Sequence, residues 1–278
     1  MSIDEHGERW RQWVLDNLQR NCSPLEMLKR MTGGAWDRNK AVQALDEGLA
    51  LLGMSRDWRK PLPAIATTPD IRNGDGKAPR VVARFESPHA VLLDGLLSVN
   101  ECQELINYAY SKGLKRSGVV RSDTGDSIEH EARTSSSVFF TRAETPLIDA
   151  LENRLARLTG WPVENGEGLQ MLRYEPGQEY KAHFDWFNTD NPGSATHLKR
   201  GGQRVGTTVV YLAAPEAGGG THFTSSGIEV FPNPGGAIFF ADVDLFGEPD
   251  KRTLHAGKPV IQGTKIVLTY WQREGAFR

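Results

Sequence analysis

The sequence predicts an α+β protein that is mostly β: a double-stranded β-helix, or jelly roll, with supporting helices, preceded by a small all-α unit. Two observations predict this class. Apolar residues recur at helical spacing near the start of the chain, whereas the second half holds short apolar runs separated by glycine- and proline-rich turns. The chain has 278 residues, of which 38% are hydrophobic. It is therefore long enough for one sizeable domain and one small domain.

Residues 1–56 are predicted to form the small helical domain. The first helix is indicated by apolar side chains that share one face, namely Trp10, Trp13, Val14 and Leu18. A second helix is predicted to begin at Ser23, where Glu26 completes a Ser-x-x-Glu capping pattern, and to end at Gly33. Asp37 is predicted to cap a third helix with an apolar stripe of Val42, Leu45, Leu49 and Leu52.

Residues 57–79 are predicted to be a linker between the two domains. The stretch from Ser55 to Pro79 contains four prolines and the turn-forming run Asn73-Gly74-Asp75-Gly76. Such a composition disfavours helices and strands. The second domain is therefore predicted to span residues 80–278.

The second domain is predicted to begin with two short strands, to continue with helices and to end mostly in strands. Ser98 and Glu101 form another capping pattern. A further helix is indicated by leucines at helical spacing: Leu147, Leu151, Leu155 and Leu158. Strands are predicted at residues 81–85, 90–93, 169–174, 207–212, 228–230, 237–240 and 266–271. This order favours an antiparallel double sheet with packed helices, a barrel that can hold a metal between its sheets.

The composition argues against several classes of partner. The formal net charge is −2, so no basic excess indicates nucleic-acid binding. No apolar run approaches the roughly 20 residues that span a membrane. The N-terminus is polar and acidic, unlike a secretory signal, and only two cysteines occur, Cys22 and Cys102. We therefore expect a cytoplasmic protein with two reduced thiols.

The most informative motif is a histidine and a carboxylate two residues apart. His183 and Asp185 project from the same face if the backbone is extended there. His255, much later in the chain, would complete a set of two nitrogens and one oxygen. This 2-His-1-carboxylate set leaves other metal positions open and is typical of non-heme Fe(II) that activates oxygen.

A lysine follows the second histidine at a suggestive place. Lys265 lies in an apolar stretch that reads as the next strand, and its ammonium could hold the far carboxylate of a 2-oxo acid. Trp271 shares strand parity with Lys265 and should face the same interior. Because an unpaired buried charge is costly, we expect the ammonium to hydrogen-bond Tyr174 or Thr221 when the site is empty.

Several ordered segments of the C-terminal 200 residues resemble one enzyme family. The segments are Arg133-Thr134-Ser135-Ser136, the stretch 163–170, Tyr174-Glu175-Pro176-Gly177-Gln178, Gly201-Gly202-Gln203-Arg204, the glycine-rich turn 218–223 and His255-Ala256-Gly257. This region resembles the catalytic domain of the plant- and algal-type prolyl 4-hydroxylases, which are Fe(II)/2-oxoglutarate-dependent dioxygenases. His-x-Asp alone is a weak signal, but the ordered set is specific.

The resemblance implies a role for each matching residue. His183, Asp185 and His255 would bind Fe(2+). Lys265 would form a salt bridge with the distal carboxylate of 2-oxoglutarate, with hydrogen bonds to the same carboxylate from Tyr174 and Thr221. Residues that would line the substrate groove are Arg204, Trp271 and Tyr180. Arg273 stands near the substrate mouth, where algal-type enzymes carry a histidine, and the stretch from Asn188 to Lys199 is an insertion of the kind that forms lids.

The implied reaction is hydroxylation of an aliphatic carbon, with peptidyl proline as the leading target. O2 and 2-oxoglutarate would be consumed, succinate and CO2 released, and ascorbate needed for sustained activity. The expected partner is a peptide or protein substrate, and the N-terminal helical unit could recruit that substrate or mediate dimerisation.

Three alternatives to this function remain open at the level of sequence. A hydroxylase of a free amino acid or small metabolite could use Arg204 and Arg273 as carboxylate clamps. A metal-dependent hydrolase could hold Zn at the same ligands, although it leaves Lys265 without a role. A non-catalytic binding module would consume no 2-oxoglutarate. His197 and His222 are rival candidates for the third metal ligand.

Overall fold

A computed structural model of the chain describes residues 7–34, 36–120, 127–129 and 133–278. The polar residues 1–6, on which the expectation of a cytoplasmic protein partly rests, lie outside the described residues. The chain divides into two compact units, Met1–Pro61 and Leu62–Arg278. This boundary lies inside the predicted linker, residues 57–79. The rest of the predicted linker belongs to the second unit, where Ile65 and Ile71 are buried in the core.

Three helices make up the described part of the first unit: α1 (Glu8–Gln19), α2 (Pro24–Gly33) and α3 (Arg38–Leu51). The Asp37 side chain caps α3 by accepting a hydrogen bond from the backbone N–H of Lys40 at 3.1 Å, as predicted. Ser23 precedes α2, but its side chain makes no capping hydrogen bond. The predicted start of this helix is therefore confirmed, with Pro24 at its first position, whereas the predicted capping hydrogen bond is absent.

The first unit has its own core, in which α1 approaches α3 closely. A Cβ atom at Gly48 of α3 would lie 2.9 Å from side-chain carbons of Val14 and Leu18 in α1. Glycine therefore allows the two helices to approach. Trp10 is 38% exposed, so only the later part of the predicted α1 stripe is buried.

The second unit contains the remaining helices and all the strands described. The helices are α4 (Val99–Lys112), α5 (Pro146–Thr159) and α6 (Ser194–Leu198). The strands are β1 (Arg80–Glu86), β2 (His89–Asp94), β3 (Lys115–Arg116), β4 (Gly118–Val120), β5 (Ser127–Glu129), β6 (Ser136–Phe139), β7 (Gln170–Tyr174), β8 (Tyr180–His183), β9 (Arg204–Ala213), β10 (Ala217–Gly218), β11 (Thr221–Phe223), β12 (Ile228–Val230), β13 (Ala237–Ala241), β14 (His255–Gly257), β15 (Val260–Gln262) and β16 (Lys265–Arg273). The Ser98 side chain and Glu101 form the predicted capping box at α4.

Two antiparallel sheets form the predicted double-sheet architecture. The larger has the order β1-β2-β13-β9-β16-β7-β6-β3, and the smaller has the order β12-β11-β14-β8. Two short pairs, β10-β15 and β4-β5, complete the strand pairing described. The fold class predicted from the sequence, mostly β with supporting helices, is confirmed.

Alternation along the strands of the larger sheet separates two cores. On β16, Ile266 and Leu268 belong to the core that includes residues of α4 and α5. Val267 of the same strand belongs to a second core, which also contains Phe223 of the smaller sheet. Because successive side chains of a strand point to opposite faces, one strand serves both cores. Among the described residues, no helix combines the length and the apolar character that a membrane crossing requires.

Candidate active site

Strand pairing in the smaller sheet brings the two predicted histidine ligands together. His183 ends β8 and His255 begins β14, and the two residues are direct partners in the antiparallel register. Their ring centroids are 4.3 Å apart. Asp185 lies two residues beyond His183 and is buried.

The three side chains form a compact donor set. One ligand atom from each of His183, Asp185 and His255 lies within 4.8 Å of the others. The Nε2 atoms of His183 and His255 are 3.6 Å and 3.9 Å from the carboxylate oxygens of Asp185. Metal–ligand bonds of about 2.0–2.2 Å place donor atoms at separations of this order. The donor set therefore fits a single metal ion.

Backbone carbonyls orient both imidazoles. Nδ1 of His183 lies 2.9 Å from the carbonyl oxygen of Lys181, and Nδ1 of His255 lies 2.9 Å from that of Thr253. A protonated Nδ1 donates to each carbonyl, which leaves Nε2 as the free lone pair of each ring. The two rings thus present the atom that a metal needs.

Burial and neighbouring charges also favour the protonation states of metal ligands. Burial, together with His255, lowers the pKa of His183 to about 3. Burial by itself raises the pKa of Asp185, but His255, His183 and Arg204 outweigh it and hold that pKa below its usual value. A neutral imidazole and an ionised carboxylate are the forms that bind metals.

The donor set opens into a cavity of about 440 Å³, a volume that includes its mouth to solvent. Predicted residues in its lining, besides the donor set, are Tyr174, Tyr180, Thr221, Lys265 and Trp271. The rest of the lining is Arg133, Leu172, Val209, Gly257, Val267 and Thr269. The predicted parity of β16 is confirmed, because Lys265, Val267, Thr269 and Trp271 all face this cavity.

Lys265 places a buried cation in the cavity. The residue is 3% exposed, and its Nζ lies 5.6 Å from the ring centroid of Tyr174. Burial lowers the pKa of the ammonium to about 8. Within the described parts of the chain, the structure gives the ammonium no ion pair and no hydrogen bond. A carboxylate ligand would supply the missing partner, so the cavity fits a dicarboxylate that also reaches the donor set.

The prediction that Lys265 hydrogen-bonds Tyr174 or Thr221 is wrong. Tyr174 offers its ring face to the ammonium. The Thr221 hydroxyl oxygen instead accepts a hydrogen bond from the Tyr211 hydroxyl at 2.9 Å. Since Thr221 accepts from Tyr211, its own proton remains available for a ligand.

Arg204 lies outside the cavity lining, behind Trp271. Its guanidinium is 4.0 Å from the Trp271 ring centroid and donates to the carbonyl oxygen of Asp185 at 3.2 Å. It also forms a two-point ion pair with Glu167, at 2.7 Å and 2.9 Å. Arg204 therefore supports the cavity wall with its charge already paired. Trp271 itself faces Asp185, and its indole N–H has no hydrogen-bond partner of standard geometry among the described residues.

Arg273 is likewise paired and does not line the cavity. Its Nε donates to Glu167 at 2.6 Å, and its Nη1 donates to the carbonyl oxygens of His197 and Gly202. His197 belongs to α6, within the predicted insertion, and its ring stacks on Phe187 at 5.0 Å. Arg273 therefore ties the insertion to the end of β16. Among the described residues the metal-type cluster excludes both rival ligands, His197 and His222.

Tyr211 and Arg133 are among the lining or supporting residues that were not predicted for the site. Tyr211 was read as part of an apolar strand, although its parity with Val209 on β9 indicates the cavity face. Arg133 was noted only as part of the segment Arg133-Thr134-Ser135-Ser136 that carries the family resemblance. It donates to the side chain of Gln170 and to the backbone of Gly118, and it lines the cavity. Its isolated bridge to Tyr180 joins segments that no local pattern connects.

Known proteins place the chain in a family. Residues 169–273 match the model of the 2OG-Fe(II) oxygenase superfamily. Prolyl 4-hydroxylase 1 of Arabidopsis thaliana is 39% identical over 205 residues, which cover 68% of this chain and 70% of the relative. Prolyl 4-hydroxylase 2 of the same plant is 36% identical over 211 residues, covering 68% and 69%.

A solved structure agrees with these relatives. The viral collagen prolyl hydroxylase of Paramecium Bursaria Chlorella virus-1, in complex with 2OG, has 32% sequence identity and a TM-score of 0.52. The match covers 66% of this chain and 94% of the viral one. Fold, donor set and relatives agree, and the chain belongs to the prolyl 4-hydroxylase-like 2-oxoglutarate-dependent dioxygenases of the 2OG-Fe(II) oxygenase superfamily.

Proposed function

We propose that this dioxygenase hydroxylates peptidyl proline, with Fe(II) bound by His183, Asp185 and His255. The single observation that carries the site assignment is the convergence of these three donors with an unpaired ammonium in one cavity. With 2-oxoglutarate and O2, the metal supplies oxidative decarboxylation to succinate and CO2, coupled to insertion of one oxygen into a C–H bond. The names of the relatives support proline as the target.

The residues of the chain bind and orient the co-substrate. Lys265 pairs with the distal carboxylate of 2-oxoglutarate, which offsets the cost of its burial. Thr221 donates its free proton to the same carboxylate, because Tyr211 already occupies its oxygen. Tyr174 packs its ring beside the ammonium.

Other lining residues exclude water and bound the space left for substrate. Leu172, Val209 and Val267 give the cavity apolar walls. Such walls strengthen the electrostatic contact of Lys265 with its partner and protect the reactive chemistry from solvent. Tyr180 and Trp271 line the same cavity beside the donor set and are assigned to the substrate.

The peptidyl reading is favoured over a free amino acid. The two guanidinium groups predicted to clamp a free carboxylate, those of Arg204 and Arg273, are bonded to Glu167 and lie outside the cavity lining. The one arginine of the described lining, Arg133, lies over the Tyr180 ring instead. A metal-dependent hydrolase, the second alternative, would need no cation in the cavity with the metal. The buried, unpaired Lys265 therefore favours a 2-oxo acid co-substrate over simple water activation.

Three further assignments complete the proposal. Ascorbate sustains turnover by keeping the iron ferrous. The enzyme acts in the cytoplasm on a peptide or protein substrate, and the N-terminal helical unit recruits that substrate. Deleting residues 1–61 should then reduce turnover of protein substrates while short peptides are hydroxylated as before.

The test of function is a substrate comparison. The full-length enzyme is incubated with Fe(II), 2-oxoglutarate, ascorbate and O2, together with proline-rich peptides or single free amino acids. The proposal expects succinate release and a gain of one oxygen on peptide proline, each requiring Fe(II), 2-oxoglutarate and O2, with ascorbate needed for sustained turnover. His255→Ala should abolish both, whereas His222→Ala, a histidine outside the donor set, should retain them. Stimulation by free amino acids alone would overturn the peptidyl assignment.

A further inference from the structure

A column of stacked groups runs from Arg133 to the metal-site histidine. The guanidinium carbon of Arg133 lies 4.6 Å from the ring centroid of Tyr180. The Tyr180 ring in turn stacks on the imidazole of His183, with centroids 3.5 Å apart and planes inclined by 19°. Tyr180 is therefore held between a cation and a candidate ligand.

The two histidines differ in how the protein holds them. The side chain of His255 is 6% exposed and packs against the rings of Phe240 at 4.9 Å and Phe223 at 5.8 Å. The side chain of His183 is 18% exposed and ends β8, the outer strand of the smaller sheet. Because His183 lies on the outer strand and is the more exposed of the two, a contact from the outer side can help to fix the plane of its ring.

One hydrogen bond is not enough to fix that plane. The contact from Nδ1 of His183 to the carbonyl oxygen of Lys181 sets the direction of one ring edge. The ring can still tilt about this direction. Stacking on Tyr180 removes the remaining freedom, because a face-to-face contact defines the plane of the ring.

Arg133 is built to hold Tyr180 in place. It is 7% exposed, and it donates from Nη2 to the Gln170 side chain at 3.1 Å and from Nη1 to the Gly118 carbonyl at 3.3 Å. Its backbone also bridges to that of Tyr180. Both partners are neutral, and Arg133 has no ion pair with any residue described. Its charge is therefore directed to the Tyr180 ring, where a desolvated cation–π contact is strongest.

We propose that Arg133 and Tyr180 are positioning residues for the metal site: the cation fixes the phenol ring, and the ring fixes the imidazole of His183. This inference rests on the proposed role of His183 as a metal ligand. Groups that orient ligands in this way typically change metal affinity by about 10–100-fold when removed. Arg133 acts through Tyr180, and it touches neither metal nor substrate in this role.

The test is an anaerobic titration of the full chain with Co(II), followed by the visible absorption of the bound ion. Arg133→Met and Tyr180→Leu should each weaken Co(II) binding by about tenfold and alter the absorption bands. Tyr180→Phe, which keeps the ring and removes only the hydroxyl, should bind Co(II) as the wild type does. The double variant Arg133→Met/Tyr180→Leu should bind no more weakly than Tyr180→Leu alone.

Arg173→Met is the matched control, since Arg173 also lies over a tyrosine, Tyr110, at 6.0 Å but outside the cavity lining. It should leave Co(II) affinity unchanged. Thermal unfolding of the metal-free variants separates folding from positioning, and Tyr180→Leu carries the test if Arg133→Met does not fold. Wild-type Co(II) affinity in both single variants, or a further tenfold loss of Co(II) affinity in the double variant, overturns this inference and leaves the proposed function standing. Failure of the wild type to bind Co(II) overturns the proposed function as well.

Discussion

Strand β16 carries a buried cation at each end, and the two ends are treated differently. At one end, Arg273 shares the carboxylate of Glu167 with its cross-strand partner Arg204. At the other end, Lys265 lies opposite Tyr174 and faces the cavity with no carboxylate partner among the residues described. The same strand thus holds one cation that the protein neutralises and one that it leaves for a ligand.

This difference separates scaffold from binding site. Burying a charge without a partner is costly, so a protein that does so must gain elsewhere. Glu167 supplies a carboxylate partner for two arginines, Arg204 and Arg273, whose contacts connect β9, β16 and the insertion. For Lys265, a bound dicarboxylate would supply the carboxylate partner. Changing one partner at each end of β16 should therefore affect stability at the arginine end and ligand binding at the lysine end.

The largest effect is expected from Glu167→Gln. The substitution leaves two buried guanidinium groups without a carboxylate, and it should lower the free energy of unfolding by about 3 kcal/mol or more. Urea unfolding of the full chain measures this loss. Glu175→Gln is the control, because Glu175 pairs with Arg173 at 2.6 Å but is about half exposed. Its loss should stay below about 1 kcal/mol, and equal losses for the two variants would contradict the comparison.

Lys265→Met should separate function from stability. Removing the ammonium should raise the Kd of 2-oxoglutarate, measured by anaerobic calorimetry with Fe(II), by at least about 30-fold. The melting temperature of the ligand-free protein should stay the same or rise, because an unpaired buried charge is replaced by an apolar chain. The control is Lys258→Met, whose ammonium pairs with Glu229 at 2.9 Å near the surface. A marked loss of stability in Lys265→Met would instead indicate a scaffold role.

The pH dependence of 2-oxoglutarate binding follows from the same residue. Burial lowers the pKa of Lys265 from 10.5 to about 8, and only the protonated form attracts the carboxylate. The Kd should therefore be level below pH 8 and rise about tenfold per pH unit above it. In the ligand-free protein, stability should increase between pH 8 and 10.5, because the unfolded chain there binds a proton that the folded chain lacks.

Lys265→Arg tests this assignment, since a guanidinium stays charged through the whole range. Any 2-oxoglutarate binding that remains in this variant should be independent of pH up to 10. A retained rise above pH 8 would assign the titration to another group.

The smallest effect is expected from Tyr211→Phe. Without the Tyr211 hydroxyl, the Thr221 proton is no longer directed to the ligand, and the Kd of 2-oxoglutarate should rise by a factor of about 2–10. Tyr270→Phe is the control, because the hydroxyl of Tyr270 is buried and has no hydrogen-bond partner in the described parts of the chain. That variant should keep the wild-type Kd and at least the wild-type stability. Equal effects on the Kd would show that Tyr211 acts only through packing.

Local patterns predicted many of the helices and strands, although not β8 and β14, which carry the two histidines. Two-residue spacing predicted that His183 and Asp185 project together, and the parity of β16 predicted that Lys265 and Trp271 share the cavity face. The capping residues Asp37 and Ser98 predicted helix starts because a cap acts within one helical turn. Each of these signals spans only a few neighbouring residues.

Contacts between distant segments were not predictable in the same way. Glu167 accepts from two arginines on different strands, and the Arg133 column depends on a bridge to Tyr180. Neither contact leaves a spacing pattern, because each follows from sheet order and from the path of the loops. The packing of part of the predicted linker is a similar case. Ile65 and Ile71 pack like core residues although their neighbours have linker composition.

The position of His183 has one more consequence. Among the described strands of the smaller sheet, β8 comes last and pairs with β14, where His255 lies directly opposite His183. An ion bound by both rings would cross-link β8 and β14, two strands that lie far apart along the chain. Backbone amides from Tyr180 to His183 should then exchange with deuterium more slowly when the ion is present. Metal binding would thus also stabilise the pairing of β8 with β14.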